Sequence, residues 1–282
     1  MDSKYINESL SINKSFLITQ IGESYDTKYR YFKIPAFDNS NAFVVFLSGM
    51  IDSRIVEETI LEPLMNYTKL PQYISKAKST EYASLLMEHG IFTAEANRSR
   101  QWDEICDAIM EGDTVLLIES CPDALIISSS KYEGRSVEEP STESEIKGPR
   151  DGFVENIQTN VMLIRRRIKD YSLRFDNMIV GERTKTVVLV AYLKSLVDEA
   201  LLTEVKKRLE GIDVDGVIAT EYVQELIEDS PYSLFPKIMN TERPDRTCAA
   251  LLEGRVIVMV DNTPYVLIMP STFWEFMTSS GD

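Results

Sequence analysis

The chain has 282 residues, with 45 acidic against 30 basic side chains and a net charge of −15. That balance argues against nucleic acid as a partner, because neutralising phosphates dominates such binding; it would also repel an anionic lipid surface unless a local basic patch intervened. No apolar run approaches the roughly 20 residues that cross a bilayer, and residues 1–15 are polar, without the order of a signal peptide, so the expectation is a soluble, non-secreted chain.

In chain order, residues 28–34 alternate polar and apolar and residues 42–47 form an apolar run, which predicts two strands. Asp52 is expected to open a helix with Glu57 and Glu58 in its early turns, broken near Pro63. Residues 102–111 predict a helix closed by Gly112. The strand at 113–119 is apolar throughout its centre and reads as buried on both faces, with a hairpin partner at 124–127 across Pro122. Residues 128–147 are rich in serine and glutamate, the composition of a linker. Asp151 is placed to N-cap a following helix, with Ile157, Val161, Ile164 and Ile168 on one face and Arg165, Arg166, Arg167 and Lys169 on the other. Strands at 173–180 and 186–192 lead to a helix from Ser195. Ser195 and Asp198 read as its N-terminal capping pair, and Lys206, Lys207 and Arg208 fill its last turn before Gly211. A helix at 246–253 closed by Gly254, then strands at 255–260 and 265–269, complete the series.

The later elements repeat the earlier ones. At an offset of 142, residues 103–126 lie over 245–268 without a gap, and eight of the 24 positions are identical, including Cys106/Cys248, Gly112/Gly254 and Pro122/Pro264. Glu119 faces Asp261, and Thr80-Glu81-Tyr82 returns as Thr220-Glu221-Tyr222. A period this long means two whole domains rather than a solenoid. The expected fold is therefore α/β: two similar mixed α/β subdomains from an internal duplication, at residues 1–130 and 151–282, joined by an acidic linker at 131–150. Sheet order does not follow from the pattern.

The linker and the segments after it carry a resemblance. Glu138-Glu139-Pro140, Glu143, Gly148-Pro149-Arg150, Gly152-Phe153 and Glu155-Asn156 are similar to the A subunits of GerA-type spore germinant receptors. So are Gly181-Glu182-Arg183-Thr184 and Thr241-Glu242-Arg243-Pro244-Asp245. The end, Pro270-Ser271-Thr272-Phe273-Trp274-Glu275-Phe276, resembles the family's approach to its first membrane span. The resemblance implies a nutrient-sensing complex in the spore inner membrane, with B and C subunits and other A subunits as partners. It also implies a soluble domain on the cytoplasmic (core) side, reminiscent of solute-binding proteins. Membrane attachment would come only through spans that this chain, ending at Asp282, does not contain.

Catalysis has little to stand on. His89, the only histidine, stands beside Gly90 at an expected helix end. Cys106, Cys121 and Cys248 have no metal-ligand spacing and no activating neighbour, and read as buried reduced thiols. No phosphate-binding glycine loop is present. The expectation is a non-enzyme with no cofactor and no metal. The sharper candidates are Arg150, Asp151, Glu155, Glu182, Arg183, Glu242, Arg243 and Asp245. They read either as salt bridges and caps that fix the linker, or as groups around an interdomain cleft that grip a carboxylate. Tyr82 and Tyr222 would line such a cleft or belong to the core. The Arg165–Lys169 cluster reads as a solvated face, a contact for a neighbouring subunit or a lipid-headgroup contact. Two functions follow: receptor assembly and signal transduction, or direct binding of a small nutrient, an amino acid or sugar, between the subdomains.

Overall fold

Apolar strands covered by helices on both sides organise each half of the computed structural model, which describes residues 4–66, 77–89, 95–131, 151–228 and 238–271. The chain divides into two compact units, Met1–Glu133 and Gly134–Asp282. In unit 1 the order is α1 (Leu10–Gln20), β1 (Thr27–Ile34), β2 (Ser40–Leu47), a helix at residues 53–65 ending in α2 (Glu62–Met65), α3 (Tyr82–His89), β3 (Ala96–Ser99), α4 (Trp102–Glu111), β4 (Thr114–Ile118) and β5 (Ala124–Ile127). Unit 2 follows with α5 (Ile157–Arg167), β6 (Leu173–Val180), β7 (Thr186–Leu193), α6 (Glu199–Glu210), α7 (Thr220–Ile227), β8 (Met239–Thr241), α8 (Pro244–Leu252), β9 (Val256–Val260) and β10 (Val266–Met269).

The two sheets have one topology. Unit 1 runs β1-β2-β4-β5-β3 and unit 2 runs β6-β7-β9-β10-β8, and every neighbouring pair is antiparallel. Helices cover both faces. On one face of the first sheet, Phe32, Val44, Leu116 and Leu125 pack with Val56, Ile60, Leu64 and Leu86. On one face of the second, Val188, Val190, Val258 and Leu267 pack with Leu202, Val205, Val223 and Ile227. The opposite faces are covered by α4 and α8, with Phe16 of α1 stacked on Trp102 of α4 at 4.3 Å. This double cover explains why β4 and β9 are buried at every residue; a continuous apolar run needs two covered faces, and parallel pairing is only the commonest way to obtain them.

One clasp recurs in both units and involves the N-terminal helix α1, which lacks strong sequence punctuation. In α1, Leu10, Asn13, Leu17 and Ile21 are all buried; in α5 the same spacing buries Ile157, Asn160, Ile164 and Ile168. Asn13 accepts from the Asn7 N–H at 2.7 Å and donates to the Asn7 carbonyl at 2.6 Å. Asn160 does the same to Val154, at 2.8 and 2.6 Å. The strand–strand turn then closes on the helix start. The Leu10 N–H donates to Glu119 Oε2 at 3.3 Å, and the Ile157 N–H to Asp261 Oδ1 at 3.4 Å. A carboxylate at a helix N-terminus satisfies an otherwise orphaned donor and complements the helix dipole.

Four local expectations are corrected. The helix after Asp52 continues past Pro63, because Ile55–Leu61 is π-helical and Pro63 stands in the first turn of α2, where no backbone donor is needed. Asp198 alone caps α6, accepting from the Ala200 N–H at 2.8 Å, while the Ser195 hydroxyl bonds that of Ser172. Asn156, not Asp151, caps α5 through the Thr159 N–H. The helix expected from 246 begins at Pro244, which occupies its first turn. Of the linker, residues 128–131 belong to unit 1, with Ser129 buried against Thr114; residues 132–147 lie outside the described residues.

Gly112 and Gly254 close α4 and α8 at φ +94° and +80°. A Cβ on Gly254 would sit 2.6 Å from the Leu196 carbonyl oxygen, against 3.1 Å from Met50 O for Gly112. Urea unfolding should show Gly112→Ala costing about 1–2 kcal/mol from its backbone conformation, and Gly254→Ala more. Asn13→Ala and Asn160→Ala should each lose about 2–3 kcal/mol, since each strands two polar backbone groups; a loss at one position alone would contradict the equivalence.

Candidate functional site

Asp151, Arg167, Glu242, Arg243 and Asp245, five of the charged residues that the sequence singles out, gather where α5 packs on α8. β8 ends at Thr241, whose hydroxyl accepts from the Arg243 N–H at 3.1 Å, and Arg243 in turn is the N-cap residue of α8. The guanidinium of Arg243, 7% exposed, folds onto Asp245 as a two-point fork, Nε to Oδ1 at 3.0 Å and Nη2 to Oδ2 at 2.5 Å. Burial alone would raise the Asp245 carboxyl, but the hydrogen bond and charge of Arg243, with the Arg246 backbone N–H, hold it below the usual carboxylate range. Across the helix pair, Arg167 donates to the Leu163 carbonyl at 2.9 Å and pairs with Asp151. The Phe153 N–H reaches the Glu242 carbonyl at 2.8 Å, so the chain entering α5 is tied to the chain entering α8. Glu242 itself is 3% exposed.

Cys248 lies within this cluster. Its thiol is pushed up to about 12, chiefly by burial; Arg167 lowers it, while Asp245 and Asp151 raise it. Cys106, at the matching position of α4, is likewise raised to about 12 by burial. All three cysteines are free and buried. Such thiols are poor nucleophiles. Among the described residues, no three histidine, cysteine or acidic side chains stand close enough to hold a metal ion.

Other candidates are used differently. Glu155 is exposed and contributes its carbonyl, which accepts from the Asn262 N–H at 2.9 Å. Glu182 and Arg183 form the β6–β7 turn, with Arg183 81% exposed and 3.5 Å from Asp215; a surface pair of this kind contributes little. The turn is instead held by backbone and hydroxyl bonds: Glu182 N–H to Val214 O, Arg183 N–H to Asp215 O, and Val217 N–H to Thr184 Oγ1. Tyr82 stacks on Phe37 at 3.8 Å, whereas Tyr222 is 47% exposed, so the two do not play matching roles. Arg150 lies outside the described residues.

The basic run is not a single face. Successive helical residues turn by about 100°, so Arg165 is driven inward, 1% exposed with its guanidinium 5.1 Å from the Phe175 ring centre. Arg167 is half-buried on Asp151, and only Arg166 and Lys169 are exposed. A cavity of about 810 Å³ in unit 1 was not legible in the sequence, because α1, the turn after it, β1, β2 and residues 51–65 all contribute to its wall.

Duplicated units with one sheet topology, whose charged motifs are largely paired internally, define a doubled α/β domain. The model of the Bacillus/Clostridium GerA spore germination protein family matches residues 15–282, and the chain belongs to that family. It is 35% identical over 277 residues to spore germination protein KA of Bacillus subtilis (strain 168), covering 98% of this chain and 50% of that one. It is 36% identical over 239 residues to spore germination protein GerLA of Bacillus cereus, covering 85% of this chain and 47% of that one. The chain thus spans about half the length of the curated relatives it matches. The crystal structure of the N-terminal domain of the A subunit of the Bacillus megaterium spore germinant receptor GerK3 superposes with a TM-score of 0.75 at 29% identity, covering 97% of this chain and 99% of that one. Among the described residues no helix is long and apolar enough to cross a membrane.

Two outcomes are expected. Because the Asp245 carboxyl is held low, its pairing stabilises the fold above the unfolded carboxylate value of about 3.9 and is lost as pH falls through the folded value. Asp245→Asn should therefore flatten the acid limb of a stability–pH curve below about pH 4. A thiol reagent at pH 8 should leave all three cysteines unmodified in native protein and modify all three in denaturant; rapid native modification of Cys106 or Cys248 would contradict their burial.

Proposed function

We propose that this domain serves a germinant receptor A subunit as a non-catalytic framework for receptor assembly and for transmitting the germination signal. On this reading it works at the spore inner membrane, on the cytoplasmic side, with B and C subunits and other A subunits as partners. Residues 131–150 link subdomains at 1–130 and 151–282. The observation that carries it is the internal use of the charged motifs: Arg243 is committed to Asp245, Arg167 to Asp151, and residues 181–184 to the backbone of 214–217. Charges used in this way preserve shape, and they leave neither Arg243 nor Arg167 free to hold a ligand.

The test is made in spores, with the full-length subunit. Arg243→Ala leaves Asp245 as an uncompensated half-buried charge, a change on the order of 3 kcal/mol. The A subunit should then be depleted from the inner membrane together with its B and C partners, and nutrient-triggered germination should fall in proportion. Arg183→Ala, at the exposed turn, should leave assembly intact. Wild-type receptor levels and germination in Arg243→Ala spores would sink the proposal.

Direct binding of a small nutrient by the domain is the second reading, favoured by the doubled α/β architecture. A saturating amino acid or sugar, at about 100 times its dissociation constant, should then add roughly 2.7 kcal/mol to the stability of the purified chain. A flat thermal-unfolding panel would count against it.

A further inference from the structure

The duplication supplies its own control for the cavity in unit 1. The β1–β2 and β6–β7 pairs share one register: Lys28 opposite Phe46 and Arg30 opposite Val44 correspond to Arg174 opposite Tyr192 and Asp176 opposite Val190. The covering helices also match at their starts, where Asp52 accepts from the Arg54 N–H and Asp198 from the Ala200 N–H. In unit 2 the space over this corner of the sheet is filled from within. Lys206 reaches down from α6, its Nζ 2.5 Å from Asp176 and 5.2 Å from the centre of the Tyr192 ring, and the Tyr192 hydroxyl donates to the same carboxylate at 2.9 Å.

Among the described residues, unit 1 keeps the frame and lacks the plug. Arg30 stands in place of Asp176 and Phe46 in place of Tyr192, while the covering helix offers Ile60 and Leu61 where unit 2 has Lys206. The cavity of about 810 Å³ opens here, within the range of small-molecule sites. Arg30 makes no ion pair among the described residues. Thr27, whose Oγ1 is the one buried side-chain polar atom without a hydrogen-bond partner among the described residues, also lines the cavity, but from the opposite face of β1.

We propose that unit 1 binds a small organic monocarboxylate between β1 and residues 53–65, with Arg30 and Lys28 at the carboxylate and Phe46 and Leu61 along its apolar stem. The ligand is Lys206 with the charge reversed: an apolar chain over an aromatic ring, ending in an ion that meets the opposite charge at the second inward position of the edge strand. Lys28 is already tethered, donating to the Tyr25 carbonyl at 2.8 Å, so Arg30 is the principal anchor, and its planar fork suits a carboxylate. Glu23, Glu57 and Glu62 also line the cavity. They restrict the anionic end to the Lys28–Arg30 corner and oppose polyanions such as sulfate. The site belongs to unit 1 alone and is independent of the receptor reading.

The test is an amide chemical-shift titration of the 282-residue chain with hexanoate, with hexylamine and sulfate as comparison probes. Hexanoate should give saturable shifts centred on Lys28, Arg30 and Phe46. Arg30→Gln, at an exposed position that the fold tolerates, should weaken that binding roughly tenfold or more, as loss of a charge-assisted contact implies. Hexylamine and sulfate should give no saturable shift at these amides. No saturable hexanoate shift there, equal affinity in Arg30→Gln, or equal binding of hexylamine would each overturn the proposal.

Discussion

The fold depends on a buried asparagine that clamps the chain just before a helix to the first turn of that helix. Asn13 and Asn160 each satisfy both polar groups of one extended peptide, on Asn7 and Val154. The acid after the central strand, Glu119 or Asp261, then holds the helix start. The neighbouring amides of Ile6 and Phe153 close onto Arg100 and Glu242, at the entrances of α4 and α8. Through these contacts the clasp joins three elements that are distant in sequence. Inside a covered core an unmade bond of this kind costs more than the made bond gains. Both copies retain it although the helices that carry it share few identities.

Around that conserved frame the two units have diverged in what fills it. Unit 2 spends charge on closure: Lys206 with Asp176, Arg243 with Asp245, Arg167 with Asp151, and Arg165 over Phe175. At the corner of the sheet where Lys206 sits, unit 1 has, among the described residues, aliphatic residues, an arginine without an ion pair and open space. One sheet topology thus carries two different interiors.

Much of the framework was legible. The strands at 124–127 and 173–180 were readable to the residue, since alternation and apolar runs bounded by turn residues leave little freedom in register. The two-unit reading followed from identities that the structure places at equivalent points, among them Gly112/Gly254 and Cys106/Cys248. α1 was missed because Asn13 interrupts its apolar face and Ser9 makes no side-chain cap. Yet its spacing of Leu10, Asn13, Leu17 and Ile21 repeats that of Ile157, Asn160, Ile164 and Ile168, and would have revealed it. β3 and β8 are short and carry polar residues, so no periodicity marks them. Charge was visible but its direction was not: Arg165 and Arg166 are neighbours in sequence and opposites in burial. The cavity escaped for a further reason, since a void assembled from several segments leaves no local pattern.

Native-state hydrogen exchange tests the clasp most directly. The amides of Asn7 and Val154 lie outside every helix and strand, yet each is bonded to a buried asparagine. If the clasp holds each unit's own fold together, these two amides exchange as slowly as those in the centres of β2 and β7, through global opening alone. Exchange at the rate of ordinary loop amides, with the strands still protected, would show that the helices dock without it and contradict the account.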